Sequence, residues 1–138
     1  MNNGEIVGKV HSSMYTQIKN GGMAVPAQVL IDLGVLSPAD YERWRFGKVD
    51  YLERVCKANL GKLSFIMKEV RAYARKNELS ESWTFYKQWG RKGKKPVIKL
   101  RFSKHGDEAV ERNYATHYIS KERIAGLKRP EGADIEKE

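Results

Sequence analysis

Apolar residues recur every three or four positions through Leu52, Val55, Cys56, Leu60, Leu63, Ile66, Met67, Val70 and Tyr73 or Ala74. That spacing draws a single stripe down a cylinder of 3.6 residues per turn, so it predicts a long amphipathic helix running to about Asn77. Asp50 and Glu53 stand at capping-box spacing and set its start near position 50, with Asp where Ser or Thr is usual. Gly61 then interrupts the helix, at a cost of about 1 kcal/mol relative to Ala.

Two shorter helices precede it. Pro26 suits a first turn, AQVLIDL supplies an apolar face and Gly34 a stop, which predicts a helix over 26–33. Ser37, Pro38 and Asp40 supply a capping oxygen, a first-turn proline and an acid at the positive helix end. They predict a second helix over 38–46 that stops at Gly47. Upstream, residues 1–22 read as a polar lead in which 5–10 and 14–18 are short strands or turns, bounded by Gly4 and Gly21-Gly22.

After Glu78 the period changes. Over 97–102, Ile98, Leu100 and Phe102 alternate with Lys99 and Arg101, predicting a half-buried strand with a basic outer face. Over 83–89 the aromatics fit a strand face at 83, 85 and 89 or a helix face at 83, 86 and 89. Aromatic and Thr enrichment favours the strand. Residues 90–96, rich in Gly and basic residues with one Pro, then form a hairpin loop. Asp107 predicts a capped helix over 108–114, with 114–120 open as a final strand, and from Lys121 the charged composition reads as a mobile tail.

The expected fold is therefore α+β and mainly helical: three helices in the N-terminal half, a basic β-hairpin and a short C-terminal helix. One globular domain over 23–120 lies between the lead at 1–22 and the tail at 121–138. A chain of 138 residues fits a single core, and 41% hydrophobic with 31% charged residues describe an ordinary globular protein. The order of elements resembles a winged-helix arrangement in architecture, without reproducing the motifs of a named family. Such an arrangement implies a helix in the major groove and a hairpin on the phosphate backbone. The helix over 38–46 carries Arg43 and Arg45 beside Trp44, but Asp40 and Glu42 make it a poor recognition helix.

Charge sharpens this picture. Residues 83–104 hold eight basic residues and no acid, while the remaining 18 of the 26 Lys and Arg residues face 17 acidic ones. The net charge of +9 is thus a local field, suited to a polyanion such as DNA or RNA. Within it, Arg91, Lys92, Lys94, Lys95, Lys99 and Arg101 are the expected phosphate contacts, and an exposed Trp89 or Tyr86 would stack on an unpaired base. An acidic protein partner, or a solvated edge strand whose lysines block aggregation, accounts for the same residues.

Catalytic signatures are weak. His105, Gly106 and Asp107 precede Asn113 with one residue too many for a kinase catalytic loop, and no glycine-rich nucleotide loop is present. His105, His117 and Glu111 are the alternative site of a small nuclease or hydrolase, since two histidines and a carboxylate can perform acid-base cleavage. Their spacings of six fit neither one helix face nor a zinc motif. No cofactor or metal is expected. Cys56 is the single cysteine, so no intrachain disulfide forms, and its apolar neighbours predict a structural thiol. Residues 1–10 have no basic leader, and no run approaches the roughly 20 apolar residues of a membrane span, so the expectation is a cytoplasmic protein without a membrane partner.

Overall fold

The computed structural model describes residues 1–91, 93 and 95–122. Its first element corrects the reading of the N-terminal residues as strands or turns. Helix α1, Asn3–Gly21, is opened by a reciprocal cap in which Asn2 Oδ1 accepts from Glu5 N at 2.9 Å and Glu5 Oε1 accepts from Asn2 N at 3.3 Å. Ile6, Val10 and Met14 recur every fourth residue and are buried in the main core. Burying three such side chains is worth about 2 kcal/mol each. That exceeds the cost of about 1 kcal/mol each for Gly4 and Gly8 on the exposed side.

Helices α2, Pro26–Asp32, and α3, Pro38–Arg45, form where their local signals predict. Ser37 Oγ accepts from Asp40 N at 3.0 Å. Gly47 follows α3 with φ +76°, and a Cβ there would fall on the side-chain amide of Gln88, so glycine both turns the chain and admits that neighbour.

The long helix expected from position 50 is divided. Leu52–Val55 is a 3-10 turn, Cys56 is extended, and helix α4 spans Leu60–Lys76 with Asn59 as its cap. The cause is tertiary: Leu52 N donates to Arg101 O, Glu53 N to Phe102 O and Lys57 N to Val35 O, at 3.1, 2.9 and 2.7 Å. These carbonyls engage amides that a continuous helix would have used. Asp50 instead pairs with Arg54, Glu53 accepts from the Tyr114 hydroxyl, and Gly61 lies in the first turn of α4, so it interrupts nothing.

Three short strands, β1 Met23–Ala24, β2 Ser80–Trp83 and β3 Thr116–Ile119, form an antiparallel sheet in the order β1-β3-β2. Ala24 and Glu81 both pair with Tyr118 across the central strand. The strand expected over 83–89 is displaced: β2 ends at Trp83, and the basic hairpin survives as one antiparallel bridge, Lys87 to Lys99. Gln88 N donating to Ile98 O at 2.9 Å and Leu100 N to Tyr86 O at 2.8 Å flank that bridge. Of the residues expected to face inward, Phe102 is buried and Leu100 half-buried, whereas Ile98 remains 39% exposed because the ladder leaves the core toward its tip. Asp107 caps helix α5, Glu108–Ala115, which passes directly into β3. Both expectations for 108–120 are thus met in succession.

The fold is α+β, with helices around a small sheet and one shared hydrophobic core. Trp44 sits at the junction with the hairpin, its ring centroid 4.8 Å from that of Phe102 and 5.7 Å from that of Tyr86. Its indole Nε1 donates to Arg101 O at 2.8 Å. Beyond Glu122 the expected tail lies outside the described residues.

Candidate nucleic-acid interface

Beside Trp44, a second residue of α3, Arg45, holds the basic hairpin. Arg45 projects from the last turn of α3, with its guanidinium carbon 4.3 Å from the Trp89 ring and 4.8 Å from that of Tyr86. Its Nη1 donates to the Tyr41 hydroxyl at 3.0 Å and Nη2 to Lys87 O at 3.2 Å, while the buried Nε has no hydrogen-bond partner among the described residues. Trp89 N in turn donates to Arg45 O at 2.6 Å. A planar cation can contact two aromatic rings and fork its hydrogen bonds where lysine cannot. The charge window over 83–104 does not contain Arg45, and composition alone offers no signal for its role.

From that anchor the basic residues project outward. Lys87, Arg91, Lys95, Lys99, Arg101 and Lys104 are exposed, while Lys92 and Lys94 lie outside the described residues. Two of the expected contacts also serve the hairpin itself. Arg91 Nε donates to Pro96 O at 3.0 Å across the loop, and Arg101 Nε donates to Ser103 O at 2.9 Å with its guanidinium over Tyr51. Lys99 Nζ lies 4.7 Å from the centre of the Phe85 ring. Lys87 and Lys99 are direct cross-strand partners, an arrangement of like charges that costs stability unless an anion compensates it.

Trp89 is 41% exposed beside an open cleft of about 630 Å³ whose walls include Tyr41, Arg45, Tyr86, Gln88 and His117. Tyr86 Oη and His117 Nε2 are 2.9 Å apart. Burial pushes the Tyr86 phenol up and the His117 imidazole down, so near neutral pH the pair is an uncharged hydrogen bond. The cleft therefore offers aromatic surface, the neutral Tyr86–His117 pair and the cations Arg45, Lys87 and Arg91.

The alternative catalytic residues have separate surroundings. Glu111 accepts from Phe102 N, Ser103 N and Ser103 Oγ at 2.9, 2.7 and 2.6 Å, so its carboxylate fastens the chain after the hairpin to α5. His117 is bound to Tyr86 on the central strand, and His105 is exposed in the loop before α5. Among the described residues, no group of three His, Cys, Asp or Glu side chains is placed to hold a metal ion. Cys56 is half-buried, its thiol donating to Leu52 O at 3.5 Å. Burial first, then the Glu53 and Asp40 carboxylates, push that thiol up to about 12, which keeps it protonated and a poor nucleophile.

Among the described residues no helix is long and apolar enough to cross a membrane. Comparison with known protein families, with curated proteins and with solved structures finds no match.

Proposed function

We propose that this is a cytoplasmic, non-catalytic nucleic-acid-binding protein of winged-helix-like architecture. Its basic hairpin contacts the phosphate backbone, and Trp89 stacks on an unpaired base. The observation that carries the reading is the exposed cationic hairpin without an acid, in which Lys87 and Lys99 face each other across a ladder. Phosphates relieve that repulsion and release counterions on binding. Support for the winged-helix-like arrangement comes from the sheet order: β1 follows the first helix, β2 follows the last long helix, and β3 returns between them. The 3-10 turn and α5 are additions to that plan.

Fluorescence anisotropy with labelled duplex DNA, single-stranded DNA and RNA, titrated at several salt concentrations, tests the proposal. With about five phosphates contacted on duplex DNA, the logarithmic affinity should fall with salt at a slope of about −4.5. Lys95→Glu/Lys99→Glu should weaken binding across sequences without changing base preference. Absence of binding at low salt refutes the reading, and capture of a protein partner that persists after nuclease treatment replaces it with an acidic-protein adaptor.

A further inference from the structure

The solvent face of α4 carries a second cationic surface, outside the basic segment. Leu63, Ile66, Met67, Val70 and Ala74 face the core, and the solvent side shows Leu60, Gly61, Ser64, Lys68 and Arg75, with Arg71 half-buried beside them. At 3.6 residues per turn, the three basic residues fall within an arc of about 60°. Glu69 is the one acid in α4, and it faces α1, 4.0 Å from His11 Nε2. The side chains of Lys68, Arg71 and Arg75 make no hydrogen bond or ion pair among the described residues.

The stripe is also graded along its length. Its first two turns present Leu60, Gly61 and Ser64, small or apolar groups that let a helix backbone approach a surface closely, and the cations follow from its midpoint, Lys68, onward. A helix read through its N-terminal residues contacts base edges there, while basic residues further along reach phosphates. Ser can bond either base type, and an exposed apolar side chain such as Leu60 suits a thymine methyl. Over 17 residues the helix is about 25 Å long and, at about 10 to 12 Å across, matches a B-form major groove of about 12 Å.

We propose that α4 enters the major groove of duplex DNA, with Leu60, Gly61 and Ser64 toward the bases and Lys68, Arg71 and Arg75 on the flanking phosphates. Double-stranded RNA is disfavoured because its major groove is too deep and narrow for this entry. A membrane surface is disfavoured because the apolar face that would insert is already buried in the core. The surface lies on a different element from the hairpin, which is joined to α3 through Trp44 and Arg45.

The test compares the full chain with Lys68→Glu/Arg75→Glu on a mixed-sequence 20-base-pair DNA duplex, the matching RNA duplex and one DNA strand. Protection of guanine N7 from dimethyl sulfate reports groove entry. The wild type should prefer the DNA duplex to the RNA duplex by roughly tenfold or more and protect N7, and the variant should lose roughly tenfold in duplex DNA affinity along with the protection. Far-ultraviolet circular dichroism verifies that the variant is folded. Should charge reversal disturb the helix, Lys68→Gln/Arg75→Gln should still reduce the salt slope by about 1.8. Unchanged duplex binding in a folded α4 variant overturns the assignment, as does equal binding of the RNA duplex or an unprotected N7. The hairpin variant Lys95→Glu/Lys99→Glu separates the two surfaces: binding lost only there removes α4 and leaves the hairpin, and binding lost only in the α4 variant does the reverse.

Discussion

Replacing Arg45 with Met tests whether one side chain fastens the hairpin to the helical body. The guanidinium lies 4.3 Å from Trp89 and 4.8 Å from Tyr86, each stack worth about 0.5 to 1 kcal/mol at a half-exposed site. Its hydrogen bonds to Tyr41 Oη and Lys87 O, at 3.0 and 3.2 Å, add about 1 kcal/mol each. Removing the buried, unpartnered Nε returns about 1 kcal/mol, and Met retains much of the aliphatic packing. The net loss is about 2 kcal/mol. For a chain of this size that corresponds to a fall in Tm of about 8 °C, measurable by calorimetry and by urea denaturation. Trp89 should become more accessible to acrylamide quenching, and Arg45→Lys should recover less than half the loss because its charge is not planar. A folded Arg45→Met protein within about 0.5 kcal/mol of wild type would refute the latch, since that is the range of an ordinary surface substitution.

Other substitutions probe the joints around the site. Met14→Ala should cost about 2 to 5 kcal/mol in denaturant melts, because Met14 is buried in the shared core; a change under 1 kcal/mol would mean that α1 is peripheral. Glu111→Gln turns an amide donor toward the Phe102 and Ser103 donors and should cost about 2 to 4 kcal/mol, read by the same melts. Burial holds the folded-state pKa of His117 below its ordinary 6.5, so the unfolded chain takes up its proton first. The His117 contribution is therefore complete above pH 6.5 and is lost as pH falls toward the folded value; a stability profile of His117→Gln parallel to wild type over that window would contradict it. Cys56, pushed up to about 12, should react with iodoacetamide at pH 8 far more slowly than free cysteine, and equal rates would show an accessible thiolate.

Local chemistry in the sequence was enough for α2, α3 and α5. Each begins with a proline or a capping side chain from its own neighbourhood, and Gly34 and Gly47 follow the first two. The acid-free cationic segment was equally legible, since charge is a property of composition. The apolar stripe of α4 is legible in its periodicity, whereas charge summed over a window hides cations spaced three and four apart on its solvent side. The pattern of α1 was present as Ile6, Val10 and Met14, yet its glycines and polar residues masked it until burial supplied the deciding energy.

Long-range partners decided the rest. Residues 52–57 left the helical path because carbonyls of Val35, Arg101 and Phe102 took their amides, and no local signal encodes partners about 20 to 50 residues away. The sheet joins strands at 23, 80 and 116, too short to be specified without one another. Arg45 gained its role only when folding brought the Trp89 and Tyr86 rings beside it. Sequence determines caps, periodicity and charge because these act within a turn or a segment. Tertiary structure determines which of the competing local conformations survives, because burial and distant hydrogen bonds are worth more than the local preferences they override.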